Sequence, residues 1–261
     1  MLGDNPFFGI SHLGPSKSAA YLGDKKRWDA AKEIIEKVPH IGIDSFMISS
    51  HAETSELLSA VGYGGGKALP EICLVVPNVH DLNKNSAKLG ILGAIKKHFK
   101  NIKSIRDLSP KRVFQILIMS GLSFREVQYV ALHNVVVDLL LGLRARKMLT
   151  IFCWTCRLFG YKPVLITLNP GRLLQMNIRC HAICTYYNNR RYNVCDDPNE
   201  ILDRFDAQNS VSEIWAMGVV ASGVVSYEEL RTDNIIQRYS RVLVASSKFE
   251  RIQEMKKAIV T

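Results

Sequence analysis

The chain has no apolar run long enough to cross a bilayer. Its longest stretches, such as Val135–Leu143, are short and broken by Asp138. Met1–Gly14 carries neither a basic leading region nor a long apolar stretch, so it does not read as a secretory signal. Together these absences predict a soluble, cytoplasmic protein without a membrane partner. There is no basic tail and no aromatic-interleaved RNA-binding signature, although 34 Lys and Arg against 24 Asp and Glu give a net charge of +10. The basic residues are scattered, with small clusters at Lys96-Lys97, Arg144–Lys147 and Arg190-Arg191. A positive surface that attracts small anions is expected, rather than a nucleic-acid reader. Six cysteines in 261 residues are too few for a disulfide scaffold. His-x-His and His-Glu-x-x-His motifs, internal repeats and low-complexity segments are also missing.

What the chain does have is alternation. Strand-like runs fall at Phe7–His12, Ile43–Ser50, Ile72–Pro77, Val127–His133, Pro163–Leu168, His181–Tyr187, Ile214–Ala221 and Arg241–Ala245. Several are almost continuously apolar, as strands covered on both faces by helices should be. Helical periodicity lies between them. Over Asp24–Val38 it places Trp28, Ala31, Ile34, Ile35 and Val38 on one face. Ser55–Val61 is a shorter helix, and Asn83–Phe124 is too long for one crossover. Val135–Phe159 reads as one long or two short helices, and Asn199–Phe205 and Lys248–Ile259 complete the set. Strand and helix in strict alternation predict a parallel sheet. Eight such units, in a chain close to the roughly 250 residues typical of the fold, predict a single (β/α)8 TIM barrel over residues 1–261.

In such barrels the active site is built from loops at the C-terminal ends of the strands. His12, His51, His80 and His133 stand at the ends of the first four predicted strands. Imidazoles titrate near neutral pH and ligate metals, so these four are the candidate catalytic groups. Asn5, Asn78, Asn134, Asn169 and Asn188 fall beside strand ends, where amides can bond a polar substrate. Loops after strands seven and eight often hold phosphate. That points to Gly223, Ser246, Ser247 and Arg251 as a cofactor or anion site, although a serine there also suits a helix cap. Cys153/Cys156 and Cys180/Cys184 have a loose four-ligand spacing. One pair falls on a predicted helix and the other on a strand, so buried structural thiols are expected instead.

Two segments carry a family resemblance. Trp215–Gly223 is similar to the seventh strand and loop of the aldo-keto reductases, and Val242–Ile252 to their eighth strand and last helix. Tyr129-Val130-Ala131-Leu132-His133 resembles their fourth strand, which ends in the active-site histidine. The resemblance implies an NADPH site in which Ser246 and Arg251 hold the 2′-phosphate. The rest of the family's catalytic pattern is missing. Met47 stands at the position of the catalytic Asp, no proton-donating Tyr follows it, and Cys73–Asn78 offers no Lys. Carbonyl reduction needs an acid as hydride arrives, so the resemblance supports the fold more than the reaction. The expectation is an enzyme acting on a small polar, anionic or phosphorylated metabolite by histidine acid–base chemistry. A divergent NADPH-dependent reductase, a hydrolase or isomerase using a divalent metal, and a non-enzymatic binding module remain as alternatives.

Overall fold

Eight strands pair in sequence order, all parallel, in one sheet whose edges meet. The computed structural model describes residues 1–4, 25–49, 71–77 and 127–260. The strands are β1 (Leu2–Gly3), β2 (Ser45–Ser49), β3 (Glu71–Val76), β4 (Val127–Leu132), β5 (Lys162–Thr167), β6 (Cys180–Tyr186), β7 (Val211–Met217) and β8 (Arg241–Val242). A parallel bridge between Leu2 and Val244 closes the ring. It is held by Gly3 N–H donating to the Val244 carbonyl and Val244 N–H donating to that of Met1. The architecture is the (β/α)8 barrel that the alternation predicts.

The described helices are α1 (Lys25–Lys37), α2 (Asn134–Gly142), α3 (Arg146–Leu158), α4 (Pro170–Gln175), α5 (Pro198–Asp206), α6 (Tyr227–Arg231) and α7 (Phe249–Val260). The predicted apolar face of α1 is the buried one: Ala31, Ile34, Ile35 and Val38 are all within a few per cent of complete burial. Val135–Phe159 resolves into α2 and α3, because Arg144 at φ 54° turns the chain left-handed between them. Helix starts follow from local chemistry. Asp197 accepts the N–H groups of Asn199 and Glu200 ahead of Pro198, and Ser226 forms a reciprocal capping box with Glu229.

Strand alternation sorts the core into two layers. Met47, Cys73, Val75, Tyr129, Ala131, Val164, Ile166, Ala182, Cys184 and Trp215 form one cluster, which fills the barrel interior. Their neighbours along the strands, among them Phe46, Leu74, Val130, Leu165 and Ile214, pack outward against the helices. The interior is packed with side chains and is not a pore.

The first strand corrects the sequence expectation. The place beside β2 is taken by Leu2–Gly3, in register with Phe46 and Met47, and the predicted strand Phe7–His12 lies outside the described residues. Two residues carry no detectable periodicity, whereas Phe7-Phe8-Gly9-Ile10 read as a strand on composition. The predicted helices at 55–61 and 83–124 lie outside the described residues.

Candidate functional site

Asp4 follows β1 directly, at the C-terminal mouth. Its carboxylate accepts the Ser49 N–H at 2.5 Å and the Ser49 hydroxyl at 3.5 Å, tying the end of β1 to the end of β2. Only 4% of the residue is exposed. Burial pushes its pKa up to about 6, while the bonds from Ser49 pull it down. It forms no ion pair among the described residues. A neutral-pH carboxyl in a barrel mouth can donate a proton in one ionisation state and accept one in the other.

His133 ends β4 and caps α2. Its Nδ1 accepts the Val135 N–H at 3.2 Å. A nitrogen that accepts carries no proton, so the ring's proton lies on Nε2. Asn134 follows as the first residue of α2. One turn on, Asp138 reaches over the end of β5. It accepts from Thr167 Oγ1 at 2.5 Å, Leu168 N at 3.1 Å and Asn169 Nδ2 at 3.4 Å. The Asn169 amide is therefore used in part to hold the strand end in place.

Past β6, Asn188 is fully buried and bonds the Tyr192 backbone twice, accepting its N–H and donating to its carbonyl, each at 2.8 Å. Both ends of that amide serve the loop. Arg191–Asp197, Arg190–Glu229 and Tyr187–Asp233 contacts anchor the rest of it. After β7 the backbone turns left-handed at Gly218 (φ 71°) and again through Ala221, Ser222 and Gly223 (φ 45°, 59° and 93°). At Gly218 the Tyr186 ring lies 2.5 Å from where a Cβ would stand; at Gly223 that space is open. After β8, Ser246 Oγ accepts the Lys248 N–H at 3.2 Å, in a turn that leads into α7. Ser247, Lys248 and Arg251 are exposed.

His133, Asn134, Asn169, Asn188, Gly223, Ser246, Ser247 and Arg251 thus all follow C-terminal strand ends, on one face of the barrel. His12, His51, His80, Asn5 and Asn78 lie outside the described residues. Asp4 was missed because a two-residue strand gives no signal to locate its end. The Asp138 clamp was missed because an isolated acid on an apolar helix shows no partner in sequence. Cys153, Cys156, Cys180 and Cys184 are free and buried, and burial pushes their thiols up, Cys153 to about 12. Among the described residues no cluster of three His, Cys, Asp or Glu is placed to hold a metal ion. No helix among them is long and apolar enough to cross a membrane.

The opposite face, at the strand starts, is a closed network. The Arg241 guanidinium lies 5.3 Å from the Tyr129 ring centroid and 5.4 Å from that of Trp215. It bonds Glu71, Glu213 at 3.1 Å and the Tyr129 hydroxyl at 3.0 Å. Glu213 also accepts from Trp215 Nε1 at 2.7 Å and from His181 Nε2 at 3.1 Å. Burial raises the Glu213 carboxyl, but Trp215 and Arg241 outweigh it and hold it below the usual range. Burial lowers the His181 ring, which donates to that carboxylate as a neutral imidazole.

No family model and no curated protein matches the chain. Two solved structures from Pseudomonas aeruginosa, each provisionally named an aldo-keto reductase, share the fold. One superposes with a TM-score of 0.53 at 14% identity, covering 99% of this chain and 88% of its own. The other gives 0.54 at 13% identity, covering 99% and 89%.

Proposed function

We propose that residues 1–261 form one barrel domain, and that it is an enzyme acting at the C-terminal mouth on a small polar, anionic substrate. Asp4 is its principal acid–base group and His133 assists. The observation that carries this reading is the Asp4 carboxyl: buried at a strand end, met by Ser49, and titrating near neutrality. His133 stands on the same face, its Nδ1 met by the Val135 N–H. Above pH 6 the ionised Asp4 accepts a proton from substrate, and below it the neutral acid returns one. His12, His51 and His80 remain candidates for the same mouth, and Asn5, Asn78, Asn134 and Asn169 for substrate contacts. Asn188, spent on the Tyr192 backbone, supports the loop.

The fold neighbours favour one reaction class, reduction of a carbonyl. A bound nicotinamide would supply hydride to the carbonyl carbon, and the oxygen would then need a proton. With Met47 packed in the barrel interior, Asp4 is the buried acid able to give it. The loops after β7 and β8 fit a phosphate-bearing cofactor: Gly223 leaves open space, and Lys248 and Arg251 have no ion-pair partner among the described residues. Ser247 and Arg251 would hold the phosphate, with Ser246 bracing the turn that leads into α7.

The test is fluorescence titration with NADPH, followed by turnover of a panel of small anionic carbonyl compounds. Asp4→Asn should abolish turnover yet leave NADPH binding intact, while Arg251→Ala should weaken binding. Full turnover in Asp4→Asn would sink the assignment of the acid. Absence of NADPH binding would remove the reductase class and leave cofactor-free proton transfer.

A further inference from the structure

On the face opposite the mouth, the last turn of α3 and the first residues of β5, β6 and β7 border a half-open pocket of about 330 Å³. This is near the lower end of the size range for small-ligand sites, roughly 300–1,000 Å³. Arg157, Lys162 and Arg179 line it, with His181, Asn209 and Ser212. No carboxylate is among its lining residues. The acid nearest in the network, Glu213, already serves His181, Trp215 and Arg241.

Two of the three cations donate to neutral groups. Arg157 donates to the Arg179 carbonyl, and Lys162 donates to the Tyr129 hydroxyl at 3.4 Å. None of the three forms an ion pair among the described residues. Like charges gathered around one cavity repel, and a bound anion converts that repulsion into attraction. One guanidinium satisfies a carboxylate. Two guanidiniums and an ammonium match the charge and the oxygens of a phosphoryl dianion.

We propose that this pocket is a second ligand site, separate from the mouth, which takes a small phosphorylated molecule. Arg157, Arg179 and Lys162 hold the phosphoryl group, and Asn209 and Ser212 meet the remainder. The site does not depend on the reaction assigned to the mouth.

Calorimetric titration of the full chain with pyrophosphate, at ionic strength held constant with sodium chloride, tests the proposal. Saturable binding is expected. It should weaken about tenfold or more in Arg179→Gln, which removes a charge-assisted bond from an exposed residue. Ser212→Glu, which puts a carboxylate at the pocket wall, should abolish it. Arg251→Ala, which removes the phosphate contact proposed at the mouth, should keep the binding step that Arg179→Gln loses. Thermal melts of each variant establish that it is folded, and Arg179→Gln alone decides the matter if Ser212→Glu is not. No saturable heat in the parent chain, or equal binding in Arg179→Gln, overturns the proposal. Loss in Arg251→Ala with retention in Arg179→Gln moves the anion to the mouth and likewise overturns it.

Discussion

At the strand starts, Arg241 meets two carboxylates, a phenol and two aromatic faces, and each carboxylate has its charge answered. At the strand ends, Asp4 is more deeply buried than any member of that network's charged set, yet it is met by the neutral donors of Ser49. The same barrel therefore compensates charge at one end and leaves a carboxyl under-compensated at the other. A group whose ionisation is made costly by its surroundings is suited to proton transfer; a group held firmly in one ionisation state is suited to stability.

The sharpest way to break this contrast is Arg241→Ala. It leaves Glu71 and Glu213 without their shared cation and strips Tyr129 and Trp215 of its contact, and chemical denaturation should show a loss of about 3 kcal/mol. Asp4→Asn comes next, and its signature is pH dependence. The folded-state pKa is raised from 3.8 to about 6, so the folded protein binds the extra proton between those values. Stability then falls as pH rises through that window, by about 3 kcal/mol in all, and levels off above it. Urea melts from pH 4 to 7 should show this slope in the parent chain and not in Asp4→Asn. Gly218→Ala should cost about 2 kcal/mol, combining a left-handed backbone with the Tyr186 ring in the way. The smallest effect separates the roles of His133. His133→Ala should cost about 1 kcal/mol in thermal melts through the lost cap, whereas His133→Asn keeps a capping oxygen and should melt as the parent does. If His133→Asn also keeps full turnover, the ring takes no part in the chemistry.

Much of the frame was legible in the sequence, because parallel strands covered by helices are apolar throughout. The predicted β2 to β6 agree with the structure to within two residues at either end. β7 lies about three residues earlier than its apolar run suggested. Val211-Ser212-Glu213 pairs with β6, and left-handed Gly218 stops the strand before the run ends. The site was less legible. Asn188 has the composition of a substrate-binding amide, and nothing local shows that Tyr192 consumes both of its ends. Asp4 is a single acid near the start of the chain, and only the long-range pairing of Leu2 and Gly3 shows that it stands in a barrel mouth. Contacts that span the fold decide such roles, and periodicity reports only on neighbours.

The seam between β1 and β8 joins residues more than two hundred positions apart, through Gly3, Met1 and Val244. Such a contact closes a loop of almost the whole chain, and that closure entropy must be met late in folding. During synthesis the ring cannot seal until Val244 has left the ribosome. Until then β1 has an open edge, and so does β7 while β8 is absent, both free to pair with another nascent chain. The segment carrying the proposed acid is thus sealed into the barrel by residues made more than two hundred positions later. A chain that stalls before β8 would hold its acid on an unsealed edge, an arrangement that couples the onset of chemistry to the completion of the fold.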